Sequence, residues 1–201
     1  DEGGAPLAMP AGHGGRLLAE FAGNGSTGGV RVLLDLGVAV GALHQEGDGY
    51  FGIAKRSTAL HVSAWRARHE TLKLLLERGA DPNIATTQGT TALMAASGIN
   101  WIPGQTYSHA EADYVEAVKL CLARGADVNA ANSLGFTAMH GAANRGWESI
   151  IQILADHGAR LDVKDQVGRT PMTFAEGIFL AVRPPVAKPE AIALLKRLMA
   201  N

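Results

Sequence analysis

The sequence predicts an all-α solenoid of about five helix–turn–helix units, stacked side by side. Three observations lead there: four segments that superimpose as helix starts, three that superimpose as helix stops, and a recurring interval of thirty-three between equivalent positions. A repeat of that length is one supersecondary unit that cannot bury its apolar face alone, so neighbouring copies must share a continuous core.

The starts are Thr58-Ala59-Leu60-His61, Thr91-Ala92-Leu93-Met94, Thr137-Ala138-Met139-His140 and Thr170-Pro171-Met172-Thr173. Threonine suits the position before a helix because its hydroxyl accepts from an otherwise unpaired N–H of the first turn, and Pro171 suits the first helical position. The stops are Leu75-Leu76-Glu77-Arg78-Gly79, Cys121-Leu122-Ala123-Arg124-Gly125 and Ile153-Leu154-Ala155-Asp156-His157-Gly158. Glycine ends a helix readily because the next residue often needs a left-handed backbone. Leu75, Leu76, Ile151 and Leu154 are the expected core.

Spacing then locates the irregularities. Thr58 and Thr91 stand 33 apart, as do Thr137 and Thr170, whereas Thr91 to Thr137 is 46, so thirteen residues are added to the middle unit. The interval from each stop glycine, Gly79 onward, to the next threonine is constant: Gly79 to Thr91, Gly125 to Thr137 and Gly158 to Thr170. The addition therefore falls between the two helices of the middle unit. Stepping back from Gly37 by the interval that separates Gly79 from Thr58 places the first start at Arg16 and aligns Gly14 with Gly89, Gly135 and Gly168. Gly37 to Gly79 is 42, so nine residues are added between the first two units. The expected organisation is a Gly-rich segment over 1–15 and units near 16–57, 58–90, 91–136, 137–169 and 170–201. Helix pairs are expected near 16–36, 58–78, 91–124, 137–157 and 170–200.

These starts, stops and spacing resemble the ankyrin repeat family from about Arg16 to the C-terminus, most closely in the units opening at Thr58 and Thr137. The resemblance implies a short, β-hairpin-like finger, an inner helix and an outer helix per repeat, with fingers and inner helices forming a concave binding face, and it places Gly14, Gly89, Gly135 and Gly168 at finger positions. It also implies that His61 and His140 are structural, bonding to the capping threonine and the neighbouring repeat. Local phrasing before Thr58 is similar to that of bacterial ankyrin proteins, some of them exported, so cytoplasmic and exported locations both stay open.

Composition narrows the function classes. At 201 residues and 47% hydrophobic the chain can bury a sizeable core, and 18 basic against 19 acidic residues give a net charge of −1, which offers nucleic acid no bulk attraction. Cys121 is the sole cysteine, so no internal disulfide or multi-thiolate site is expected. Apolar runs such as Val30 to Leu34 fall far short of the roughly 18 to 20 residues that span a bilayer. No charged-then-apolar leader pattern precedes the first unit.

Catalytic look-alikes fail on their details. Gly23-Asn24-Gly25-Ser26-Thr27-Gly28-Gly29 has phosphate-loop glycines, but Gly29 stands where the lysine belongs. His44-Gln45-Glu46 lacks the paired cysteines of a zinc deaminase. His61 and His140 lie two units apart, and at about 10 Å per stacked helix pair they cannot share an ion with bonds of about 2 Å. No catalytic residue, metal or cofactor is expected.

The expected role is recognition of another protein, carried by the finger residues Thr86, Thr87, Gln88, Asn132, Ser133, Leu134, Gln166 and Val167. Two irregular loops join them: Tyr50 and Phe51 between glycines in the long finger, and Trp101 and Tyr107 in the inserted segment. Aromatics there read either as contact residues or as plugs folded over helix ends. The segment from Ala181 to Glu190, with Pro184, Pro185 and Pro189, reads as a stiff connector, with an extended recognition segment as the alternative. Two alternatives stand beside protein binding: a small-molecule or carbohydrate site, even an enzymatic one, lined by Asp48, Asn100 and His109 between the loops, and a spacer domain of a longer protein.

Overall fold

The computed structural model describes residues 13–47, 54–99, 110–178 and 185–200. Among the described residues five helix pairs follow one another: α1 (His13–Gly23) with α2 (Thr27–Asp35), α3 (Ala59–Trp65) with α4 (His69–Glu77), α5 (Ala92–Ala96) with α6 (Glu111–Ala123), α7 (Ala138–Arg145) with α8 (Glu148–Asp156), and α9 (Pro171–Glu176) with α10 (Pro189–Met199). The odd-numbered helices pack in sequence as an inner row and the even-numbered ones as an outer row. A short antiparallel pair, β1 (Leu43–His44) with β2 (Ser57–Thr58), closes the long first finger in the register Leu43 to Thr58.

The starts behave as caps. The Thr58, Thr91 and Thr170 hydroxyls accept from the N–H of His61, Met94 and Thr173 respectively, satisfying one orphan donor of each first turn. Gly79, Gly125 and Gly158 follow the outer helices with φ of 88°, 79° and 83°, the left-handed region that a Cβ disfavours. One apolar cluster runs from Leu18 through Leu75, Leu93, Val118, Ile151 and Leu154 to Leu195, so the core belongs to the stack and to no single unit.

Two expectations need correction or refinement. Gly14 does not occupy a finger: it lies in the first turn of α1, which begins ahead of Arg16 at His13. A Cβ on the adjacent Gly15 would come within 2.4 Å of the Leu43 carbonyl oxygen, so Gly15 lets α1 run close along the β1 backbone. In the middle unit α5 ends at Ala96 and α6 opens at Glu111, so the added residues fall between the two helices.

Polar side chains tie adjacent units together. The Asn83 amide donates to the Gly125 carbonyl (2.9 Å) and its oxygen accepts from the Asp127 N–H (2.8 Å); Asn129 repeats the arrangement with the Gly158 carbonyl and the Arg160 N–H. Glu111, at the head of α6, accepts from the N–H groups of Ser149 (2.8 Å) and Ile150 (3.3 Å), capping α8 from the neighbouring unit where Trp147 offers no side-chain cap. A carboxylate there also faces the positive end of the helix. Glu111→Ala is expected to lower unfolding free energy by about 1 kcal/mol, read from urea denaturation, and an unchanged midpoint would remove this cross-unit cap.

Candidate functional site

The fingers are built alike. In each, a short polar residue starts the turn, and its backbone N–H donates to the carbonyl four positions on: Thr86 to Thr90, Asn132 to Phe136, Asp165 to Arg169, at 2.9 to 3.0 Å. The same three side chains turn inward. Thr86 Oγ1 accepts from the Thr90 N–H, Asn132 Oδ1 from the N–H groups of Leu134 and Phe136, and Asp165 Oδ1 from those of Val167 and Arg169. Burial by itself would raise the Asp165 carboxyl, but the Arg169 backbone and side-chain bonds and the Val167 N–H outweigh it and hold it below the usual range.

This divides the sequence-predicted contact residues. Thr86 and Asn132 are buried and spend their polar atoms inside the turn, so they shape the fingers and present almost nothing outward. Thr87, Gln88, Ser133, Leu134, Gln166 and Val167 are exposed at the tips. Leu134 is 52% exposed and Val167 72%, and the two belong to adjacent fingers linked by the Gln166 N–H to the Leu134 carbonyl (3.0 Å). Tyr50, Phe51, Trp101 and Tyr107 lie outside the described residues, as do Asp48, Asn100 and His109.

Two tip residues escape a reading of the sequence alone. The Thr87 N–H donates to the Lys55 carbonyl (3.1 Å), and Arg56 has φ 61° where later fingers place Gly89, Gly135 and Gly168 at 77° to 86°. Lys55 and Arg56 thus hold in the first finger the positions that Gln88 and Gly89 hold in the next, and both are exposed. The available signal is spacing alone: Arg56 stands one full repeat before Gly89, but a search keyed on glycine passes over it. The row therefore grades from a cationic first finger to an apolar end at Leu134 and Val167.

The inner helices contribute less surface than the resemblance implied. Every residue from Ala59 to Ala64, Ala92 to Ala96 and Ala138 to Ala143 is buried, so the three central inner helices present little surface, whereas α1 exposes His13, Arg16 and Phe21. The opposite ends of the helices are packed with aromatics: the Tyr114 and Trp147 rings lie 4.7 Å apart, the Tyr114 hydroxyl donates to the Trp65 carbonyl, and the Arg145 guanidinium sits 4.2 Å from the Trp147 ring centre.

The histidines serve the frame. The His61 Nε2–H donates to the Thr90 carbonyl (3.0 Å) while Nδ1 accepts from the Thr58 N–H (3.1 Å); His140 does the same between the Arg169 carbonyl and the Thr137 N–H. Each links its own cap to the following finger, as the resemblance implied. Cys121 is fully buried, and burial pushes its thiol up to about 12, so it presents no reactive thiolate. Among the described residues no three His, Cys, Asp or Glu side chains gather as a metal site, and no helix is long and apolar enough to cross a membrane.

Stacked helix pairs with hydrogen-bonded fingers define a repeat solenoid, a frame that displays short tips along one edge. Its particular kind follows from comparison with known families. The family description for ankyrin repeats (3 copies) matches residues 107–182, and that for a single ankyrin repeat matches residues 55–87. This chain belongs to the ankyrin repeat family. Ankyrin repeats are in general protein–protein interaction modules, typically without catalytic activity. No curated protein matches the chain.

Proposed function

We propose that this protein binds another protein through the tips of its fingers, along the row Lys55-Arg56, Thr87-Gln88, Ser133-Leu134 and Gln166-Val167. The observation that carries this reading is the exposure of Leu134 and Val167 on adjacent tips whose backbones are already fixed by hydrogen bonds. A bound partner would recover the cost of exposing those two side chains, and the tips would lose little ordering entropy because their turns are closed internally. Lys55 and Arg56 add a cationic end that favours a partner with acid groups at the matching place and speeds encounter at low salt.

The test works with a partner of any identity. Proteins retained from native lysate by the wild-type chain are compared with those retained by Leu134→Asp/Val167→Asp, with melting measured on the same samples. The expected result is loss of a retained protein by about tenfold or more, the size of a hot-spot deletion, with the melting temperature nearly unchanged. Equal retention by wild type and double variant would refute the tip reading. Reversing charge with Lys55→Glu/Arg56→Glu is expected to slow association and flatten its salt dependence, and an unchanged association rate would remove the cationic end from the site.

A further inference from the structure

The fingers at 86–90, 132–136 and 165–169 are not closed equally. In the two later ones the residue that starts the turn carries an oxygen that accepts two N–H groups: Asn132 Oδ1 from Leu134 (3.0 Å) and Phe136 (3.0 Å), and Asp165 Oδ1 from Val167 (3.0 Å) and Arg169 (2.8 Å). In the earlier one the same place is held by Thr86, whose hydroxyl oxygen sits one bond nearer the backbone and closes a turn more weakly. It accepts from the Thr90 N–H (3.2 Å) and not from that of Gln88, which stands where Leu134 and Val167 stand in the later fingers. Among the described residues no acceptor takes the Gln88 N–H, and Gln88 is exposed.

The same corner is cationic. The Lys55 carbonyl accepts from both the Thr87 N–H and the Thr87 hydroxyl, each at 3.1 Å, so Lys55 and Arg56 are anchored beside the residue that precedes Gln88. Both carry exposed side chains, and among the described residues no carboxylate pairs with either. The tips at 86–89 and 132–135 hold no acid, and Asp165 is buried and committed to Arg169 and its own turn. An unspent main-chain donor and two cations thus stand together, with no anion from the following fingers to answer them.

We propose that a partner protein seats the side-chain carboxylate of an aspartate or glutamate here, one oxygen accepting from the Gln88 N–H and the charge facing Lys55 and Arg56. The proposal rests on the finger-tip reading and names the group by which the partner is recognised. A carboxylate is favoured over a neutral acceptor because a hydrogen bond to an ionised oxygen is about twice as strong, and because the two cations repel a basic competitor. The acid belongs to a side chain because a partner lying along the row from Lys55-Arg56 to Gln166-Val167 passes over the Gln88 tip and does not end on it. The later fingers do not compete for this group, since Asn132 and Asp165 already hold the matching N–H groups of Leu134 and Val167. The acid therefore sets the partner's register, one finger away from the apolar contact at Leu134.

A displayed library of short linear peptides is panned on the full chain, and the selected peptides are resynthesised and mapped by backbone amide shifts. The expected result is a recurrent Asp or Glu whose change to Asn or Gln weakens binding about tenfold, the size of a lost charge-assisted bond, and abolishes the shift of the Gln88 amide. Thr86→Asn gives this finger the two-bond closure of the next one and is expected to remove the difference, so that acidic and amide peptides bind alike. Lys55→Gln/Arg56→Gln, at exposed positions where the fold does not depend on the side chain, is expected to weaken the acidic peptide by a similar factor, and an unchanged affinity overturns the proposal. So does an acid whose neutralisation costs as much with Thr86→Asn as with wild type, or one that proves to be the peptide's terminal carboxylate, lost on amidation. Binders without a recurrent acid that shift Ser133 and Leu134 overturn it too and leave the finger-tip reading in place. A library that yields no binder, or binders that shift no finger at all, counts against both.

Discussion

Leu154→Ala is expected to lower the unfolding free energy by about 2 to 5 kcal/mol, the range for a fully buried leucine whose site cannot collapse. Leu154 is 0% exposed in α8, which packs against α6 on one side, α10 on the other and α7 beneath, so the cavity opens at the junction of three units. In a stack each unit is stabilised mainly by its neighbours, and a void at such a junction weakens two interfaces together. Leu134→Ala is the control. Leu134 is 52% exposed at a tip, and its loss should change stability by no more than about 0.5 kcal/mol. Urea denaturation followed by circular dichroism reads both. A midpoint unmoved by Leu154→Ala would refute the register of the outer helices.

The fold is legible in the sequence because its punctuation has local causes. Thr58, Thr91 and Thr170 cap helices and Gly79, Gly125 and Gly158 end them through chemistry within a few residues, so spacing between them survives added loops. Spacing misplaces the start of the first unit, where Gly15 answers to the β1 backbone, a contact between distant parts of the chain that no local pattern encodes. The candidate site is legible in outline only. Thr86 and Asn132 are small polar residues at a turn, a type that serves equally as an outward contact or an inward turn clamp, and the hydrogen bonds to Thr90, Leu134 and Phe136 decide for the clamp. Arg56 is hidden for the converse reason: it holds a left-handed backbone without being glycine. Burial of the inner helices depends on what lies over them, which periodicity cannot report.

Acid is expected to loosen the protein well above the range in which carboxylates titrate. Burial lowers the His61 imidazole from 6.5 to about 4, against the opposing pull of its bonds to the Thr90 and Ile84 backbone. The same cause lowers His140, with the Arg169 carbonyl again opposing. In both rings Nδ1 accepts from a threonine N–H, so a proton there would set two donors face to face and break the cap. Above pH 6.5 the His61 ring is neutral folded or unfolded, and its contribution is complete. Between pH 6.5 and 4 the unfolded chain takes up the proton first, so stability falls with pH by about 1.4 kcal/mol per unit, or roughly 3 kcal/mol across the window. Below pH 4 the folded ring protonates too, and the loss from this residue levels off. Glutamine at this position cannot titrate, so His61→Gln should show a shallower fall over the window, and His61→Gln/His140→Gln a shallower one still, even if both start from a lower stability at pH 7. Unfolding free energies measured by urea at intervals from pH 7 to 4.5 decide the matter. A wild-type profile that stays flat over that interval would mean the two rings are not held neutral between their caps and the next fingers.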